Sequence, residues 1–357
     1  MAAVRRTGPP GPRPRGRGRP PCCCYLGVLD NLTHTLTGLV LARAGIGKGV
    51  PRAGLLLMLA ANAPDADVVS WFGGSLTYLE YHRWLTHSLI AMPVMAAASA
   101  GVARLFARGR PFPWLKASIA ALIGVASHVL LDWTNVYGMR LLLPFSAEWL
   151  RLDITHIVDF WIWLVLFSAV AAPALGRLVS SEIGAKPATG RGWAIAALLL
   201  VGGYEYGRYL AHDRALAMLN ARIYDGSVPT QVAAFPNYWN PLKWRGLVET
   251  SDAYRFYAVN VTESFDPSQA TIFYKAQPNA AIAAAAQTPV FQRFLSFSPF
   301  PLWRAMPVAE PEGATGVEVF DLRFGDPRQG SFVTTAIVDP SNHVESSRFS
   351  FGRIPPR

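Results

Sequence analysis

Cysteine is almost absent from this chain. Only three of the 357 residues are cysteine, and Cys22, Cys23 and Cys24 are adjacent. Neighbours in sequence do not readily pair with one another, so a disulfide framework is excluded and a cysteine metal site is not expected. Acidic residues are missing from the first 29 positions, where Arg5, Arg6, Arg13, Arg15, Arg17 and Arg19 all fall. This Pro/Gly/Arg stretch cannot build a core. It carries six of the ten net positive charges and leaves the rest near +4. The basic balance is therefore no sign of a nucleic-acid partner. The apolar piece from Tyr25 to Leu29 is too short for a signal peptide. There is no internal repeat and no glycine-rich phosphate loop. Beyond His212 no apolar run is long enough to cross a bilayer.

Charge is also scarce, at 16%, while 51% of the residues are hydrophobic. The apolar residues gather in six segments, about 34–47, 53–72, 84–106, 114–133, 155–178 and 192–211. The last four approach the roughly 20 residues that span hydrocarbon. After Asp213 the texture changes: 244–250, 254–262, 316–324 and 331–339 alternate apolar and polar residues and predict strands of an antiparallel sheet. Residues 282–297 predict one helix. The expected fold is a membrane all-α bundle of about six apolar helices over 30–211, followed by a soluble, strand-rich α+β domain over 212–357.

The connections after the first, third and fifth segments carry Arg43, Lys48, Arg52, Arg104, Arg108, Arg110, Lys116, Arg177, Lys186 and Arg191. Those after the second and fourth carry Asp65, Asp67, Glu80, Asp132, Glu148 and Asp153 with few bases. The positive-inside rule places the basic set in the cytoplasm and the acidic set outside, together with the C-terminal domain. The basic tail 1–29 would then lie outside, against the rule. The expectation is a disordered tail that is no part of the working protein, with the natural beginning at Asp30-Asn31-Leu32-Thr33-His34 and Leu29 as a misread alternative start. Peptides from residues 5–25 in mass spectrometry of the purified protein would overturn it.

Ionisable residues sit at the segment ends, where they are costly in a membrane. His34 begins the first segment, Asp65 and Asp67 end the second, and His82 and His87 begin the third. His128 and Asp132 stand four apart at the end of the fourth, on one helical face. His156 and Asp159, three apart, begin the fifth. An up-down bundle brings all these ends to the outer face. Imidazole plus carboxylate is a donor set for zinc or another divalent metal, numerous enough for one to three ions. Each residue has a plainer reading when taken alone. A histidine near an interface is commonly a hydrogen-bonded structural residue, Asp30 and Asp153 suit helix caps, and His128 with Asp132 suits an i,i+4 hydrogen bond. Their joint placement favours metal. Arg83 suits either a nearby aspartate or an anionic substrate group. Because His82 and His87 are five apart, His82 is expected at or before its helix start and His87 in the first turns.

The stretches DNLTHTLTGLVLAR (30–43), LAANAPDADVV (59–69), YHRWLTHSLI (81–90) and ASHVLLDWTNVYGMRLLLPFS (126–146) resemble, in order and spacing, the inner-membrane metal-dependent hydrolases of the YdjM type. That family is in turn similar to the zinc phospholipase C fold, an all-helical scaffold holding up to three zinc ions. The resemblance implies His34, Asp65, His82, His87, His128 and Asp132 as ligands. Asp67, His156 and Asp159 are added by topology alone. The tail 1–29 departs from the family pattern, and the C-terminal half is not covered by these motifs.

The leading expectation is a hydrolase at the periplasmic face of a bacterial inner membrane, acting on a phosphoester in a lipid or lipid-linked substrate. Asp67 or Asp65 would serve as general base. The expected partners are the bilayer and an envelope protein bound through 212–357, with no nucleic acid. One alternative is a membrane-anchored interaction protein with a structural metal. Another, a metal or proton transporter, is weakened because the polar residues cluster at one end of the bundle.

Overall fold

A computed structural model describes residues 22–182, 190–329 and 332–352; the side chains of 22–30, 179–181 and 329 lie outside the described ones. The tail 1–21 and the side chain of Asp30 therefore fall outside. The helical half contains α1 (Cys22–Ala44), α2 (Ala53–Asn62), α3 (Ser75–Tyr81), α4 (Met92–Leu105), α5 (Trp114–Thr134), α6 (Phe160–Glu182) and α7 (Arg191–Asn220). Helix α1 begins at Cys22, so 22–29 is helical and not a disordered tail.

Two to four candidate spans, not six, are shown among the described residues. Among the described residues, Trp114–Thr134 and Phe160–Leu178 are long and apolar enough to cross a membrane. Two bent pairs qualify only if each is taken as one span: Ala53–Asn62 with Pro64–Gly73, bent by 47°, and Ser75–His87 with Met92–Leu105, bent by 86°. The first bend follows from Pro64, which has no N–H to continue the ladder of α2, and the chain tightens into a 3-10 helix over Pro64–Gly73. The second interrupts the helix expected over 84–106. His82 caps the end of α3, Leu85–His87 is a short 3-10 turn, and α4 begins only at Met92, one residue before Pro93. His82 thus precedes the helix as expected, while His87 lies before it rather than in its first turns.

Helix α1 packs on α2, α6 and α7, and α5 packs on α2 and α4. Small residues permit the close approaches. A Cβ at Gly38 would stand 2.5 Å from the Leu57 carbonyl oxygen, and one at Gly124 would stand 2.9 Å from Ala60 Cβ. Glycine at such contacts lets backbones approach as larger residues cannot.

The C-terminal domain contains two four-stranded antiparallel meanders. The first is β1 (Gln231–Pro236), β2 (Lys243–Glu249), β3 (Ala253–Asn260) and β4 (Thr271–Tyr274). The second is β5 (Pro301–Pro307), β6 (Thr315–Asp321), β7 (Val333–Val338) and β8 (Val344–Ser350), an α/β plait with α8 (Ala280–Ala286) and α9 (Pro289–Phe297). Val317, Val319, Ala336 and Val338 alternate on the sheet face that meets Phe291 and Phe294 of α9. The single helix expected over 282–297 is broken because Thr288 caps a new helix whose first residue is Pro289.

The two halves share cores. Helix α7 runs past residue 212, and its Ala215 and Leu219 pack under the first sheet with Trp244 and Val248. Val136 belongs to the core of the first sheet, and Tyr137 and Leu79 belong to that of the plait.

Candidate metal centre

Pro64 sets the site from the sequence upward. The 3-10 helix that it starts carries Asp65 and Asp67 two residues apart, and at three residues per turn they point in different directions. Asp65 turns inward: its Oδ1 lies 3.5 Å from His87 Nε2 and 3.7 Å from His128 Nε2. Asp67 turns to the neighbouring chain. Its Oδ1 lies 2.8 Å from His82 Nδ1, and its Oδ2 accepts from the Arg83 N–H at 2.8 Å and the Thr86 hydroxyl at 2.9 Å. The same Oδ2 lies 3.2 Å from His87 Nδ1.

Helix α5 contributes His128 and Asp132 from one face, both fully buried. His128 Nδ1 lies 2.7 Å from the Ala61 carbonyl oxygen, which can only accept, so this nitrogen carries a proton and, in the neutral ring, Nε2 offers the lone pair. Pro64 again explains the partner, since it has no N–H to offer the carbonyl three residues before it. Asp132 Oδ2 lies 3.3 Å from both His87 Nε2 and His128 Nε2 and has no hydrogen-bond donor. The two Nε2 atoms face one another at 3.1 Å.

Arg83 occupies a left-handed conformation, φ 56°, uncommon for a residue with a side chain. That turn sends its guanidinium inward, where it is 1% exposed. Nη2 donates to Asp132 Oδ1 at 2.8 Å and Nη1 to Asn135 Oδ1 at 2.9 Å. Asn135 in turn accepts from the Tyr137 N–H at 2.9 Å. His34 from α1 stacks on the His128 ring at 3.7 Å between centroids, with Nε2 3.5 Å from Asp132 Oδ1.

Asp65, His87, His128 and Asp132 therefore form one group of four donor atoms, and Asp65, Asp67 and His82 form a second. The donor chemistry fits a divalent ion. A proton on His87 Nε2 could bridge only one of the close contacts, whereas a cation among the four donors would satisfy all of them. Five of the six separations among them, 3.1 to 3.7 Å, bracket the edge of a tetrahedron. Bonds of about 2.0–2.1 Å give edges of about 3.3–3.4 Å.

His156 and Asp159 are not brought to either group. Residues 153–159 are not helical; Ile154 and Thr155 donate backbone N–H groups to the Thr134 carbonyl at the end of α5. The three-residue spacing therefore defines no shared helical face. His156 packs on the Tyr238 ring at 5.3 Å, and burial, reinforced by Arg208 and Arg245, pushes its pKa down to about 4. Asp159 caps α6, accepting from the Trp161 and Ile162 N–H groups at 2.9 and 3.2 Å and from the Tyr204 hydroxyl at 3.0 Å. Thr86 and Asn135 escaped the sequence reading although both lie inside the motif stretches. Their only signal is position, three residues from a candidate donor or adjacent to one.

A helical membrane half with a buried histidine and aspartate donor set, joined to an α/β plait, defines a membrane protein with a site able to hold metal. The chain belongs to the YdjM inner membrane protein family, whose sequence pattern matches residues 29–213. Residues 280–352 match the YfhP C-terminal alpha/beta plait domain. A relative from Bacillus subtilis (strain 168), named uncharacterized protein YfhP, is 26% identical over 322 residues, covering 87% of this chain and 90% of its own. No solved structure matches.

Proposed function

We propose that this protein is a membrane-bound, metal-dependent hydrolase of a phosphoester in a lipid or lipid-linked substrate. The observation that carries it is the convergence of two imidazole Nε2 atoms and two carboxylate oxygens, with separations of 3.1 to 3.7 Å. Asp65, His87, His128 and Asp132 would hold the ion, for which zinc fits the donor set. Bound there, a divalent ion supplies a Lewis acid for phosphoryl oxygens and activates water near neutral pH. Arg83 fixes the outer oxygen of Asp132 so that the other faces the donors. Asp67, with four partners, orients His87 and His82 and is not free to take a proton from water. The second group needs no ion of its own, because His82 and Asp67 already share a hydrogen bond of 2.8 Å. His82, backed by Asp67 and 12% exposed at its side chain, is the group placed to carry the proton.

The lipid assignment is supported by an apolar cavity of about 430 Å³ lined by Leu41, Leu130, Leu131, Leu166, Leu198 and Val201. It opens on the face of α5 next to the one bearing His128 and Asp132, within the size range of ligand pockets. We place the site and the C-terminal domain on the periplasmic side, because the basic α1–α2 and α4–α5 connections lie at the opposite helix ends.

A second reading is favoured by the donor count. Four protein ligands close a tetrahedron, the pattern of a structural ion, and the C-terminal domain would then be the working surface, binding an envelope protein. Metal analysis of detergent-purified protein, with a screen of phosphodiester and phosphomonoester lipids, tests both. Stoichiometric metal with turnover that is lost in His82→Ala supports the hydrolase. Stoichiometric metal without turnover, and a cobalt-substituted spectrum unchanged by added phosphate, supports the structural ion. No bound metal overturns both.

A further inference from the structure

The hairpin between β1 and β2 stands out because its exposed residues are large and apolar. Tyr238 is 42% exposed, Trp239 64% and Leu242 45%. These residues do not sit at a remote tip. The Trp239 ring packs on Phe160 at 5.5 Å, and Phe160 is the first residue of Phe160–Leu178, a helix long and apolar enough to cross a membrane. The Trp161 indole donates to the Trp239 carbonyl at 3.1 Å, and Tyr238 packs edge-on to Trp239 at 4.7 Å. Four aromatic rings from two distant parts of the chain thus gather at one end of a membrane helix.

The backbone of the hairpin is prepared for a poorly hydrated place. Asn237 Oδ1 accepts from the N–H groups of Trp239 and Asn240, both at 3.0 Å, and Asn240 Oδ1 accepts from Leu242 at 2.9 Å. Pro241 has no N–H, and its carbonyl accepts from Arg208. Backbone groups at membrane depth need such internal partners. Tryptophan and tyrosine settle at the headgroup level, with an apolar body and a polar edge. Lys243 follows directly and is exposed, able to keep its charge in water while its stem lies along the interface.

We infer that Tyr238, Trp239 and Leu242 are a membrane-interface anchor, inserted among lipid headgroups beside the start of α6, and that the anchor seats the C-terminal domain on the bilayer. The occupant is the bilayer because the patch is continuous with a spanning helix. The anchor is independent of what the metal does.

Spin-label accessibility in nanodiscs of phosphatidylethanolamine and phosphatidylglycerol tests it. Cys22, Cys23 and Cys24 are replaced by serine, and nitroxides are placed singly by Trp239→Cys, Leu242→Cys and Ser251→Cys. Ser251 is exposed in the β2–β3 turn, about 23 Å along the strand at the opposite end of the sheet. The expected result is oxygen collision exceeding that of a water-soluble nickel chelate at 239 and 242, with the reverse at 251. The label at 242 leaves Trp239 in place, so loss of the tryptophan cannot by itself account for a negative result there. A hairpin that docks on another protein, or projects into water, leaves 239 and 242 as nickel-accessible as 251 and overturns the inference.

Discussion

At the scale of single residues, position within the candidate site separates the donors from the residues that aim them. His128 supplies one of the four donor atoms, so His128→Ala is expected to abolish stoichiometric metal, read by elemental analysis of the purified protein. Of the residues in the four-donor group, Asp67 touches His87 alone, at its far nitrogen. Asp67→Asn is expected to retain metal with affinity lowered about 10–100-fold, as is usual for partners behind a ligand; competition with a chelator measures it. Unchanged affinity would remove Asp67 from that role. His156 gives a pH effect away from the metal. Its folded pKa, about 4, lies below the usual 6.5, so between those values the unfolded chain binds more protons. The stability that His156 contributes is complete above pH 6.5 and falls as pH drops toward 4. Thermal melts from pH 7.5 to 4.5 are expected to fall less steeply in His156→Gln than in the parent.

At the scale of elements, the helices that carry the donors meet through glycine. A Cβ at Gly38 would come within 2.9 Å of Met58 Cα as well as the Leu57 carbonyl. These are backbone atoms, which yield less readily than side-chain ends. Gly38→Ala is expected to push α1 from α2 and cost about 1–3 kcal/mol, the usual range for overpacking. Denaturant unfolding in detergent checks it, and an unchanged midpoint would show that the helices can separate freely. Helix α1 also brings His34 against His128, so a partial loss of metal affinity is expected in the same variant.

The molecule as a whole is tied together beside the site. Arg323 is buried, with Nη2 2.7 Å from Asp321 Oδ2 and 2.9 Å from the Phe297 carbonyl. Its Nη1 donates to the carbonyls of Val136 and Tyr137 at 3.2 and 3.3 Å. Those two residues follow Asn135, the partner of Arg83, so the plait grips the chain beside the candidate metal donors. Arg323→Ala leaves Asp321 as an uncompensated buried charge, and removing one member of such a pair costs about 3–5 kcal/mol. The expected outcome is a lower melting temperature for both halves together, monitored separately by far-ultraviolet helical signal and tryptophan fluorescence. Melting of the C-terminal domain alone would show that the halves are independent.

Much of this was legible in the residues. The four-residue spacing of His128 and Asp132 holds on α5, and β2, β3, β6 and β7 fall where alternation predicted strands. The remaining strands carry no such signal: β1 (QVAAFP) and β8 (VESSRFS) lack clean alternation, and β4 and β5 take their place from neighbours. The bend after Asn62 was only hinted at by Pro64, and nothing local predicts a left-handed Arg83. The sequence by itself determined which donors exist, that they cluster at segment ends, and that the chain divides into an apolar and a strand-rich half. Only the tertiary structure decided that Asp65 faces the other donors while Asp67 stands behind His87, that His156 and Asp159 lie elsewhere, and that the plait closes on the site. The reason is physical: short-range propensity fixes a residue's own element, while the direction of a side chain after a proline break or a left-handed turn is fixed by what packs against it.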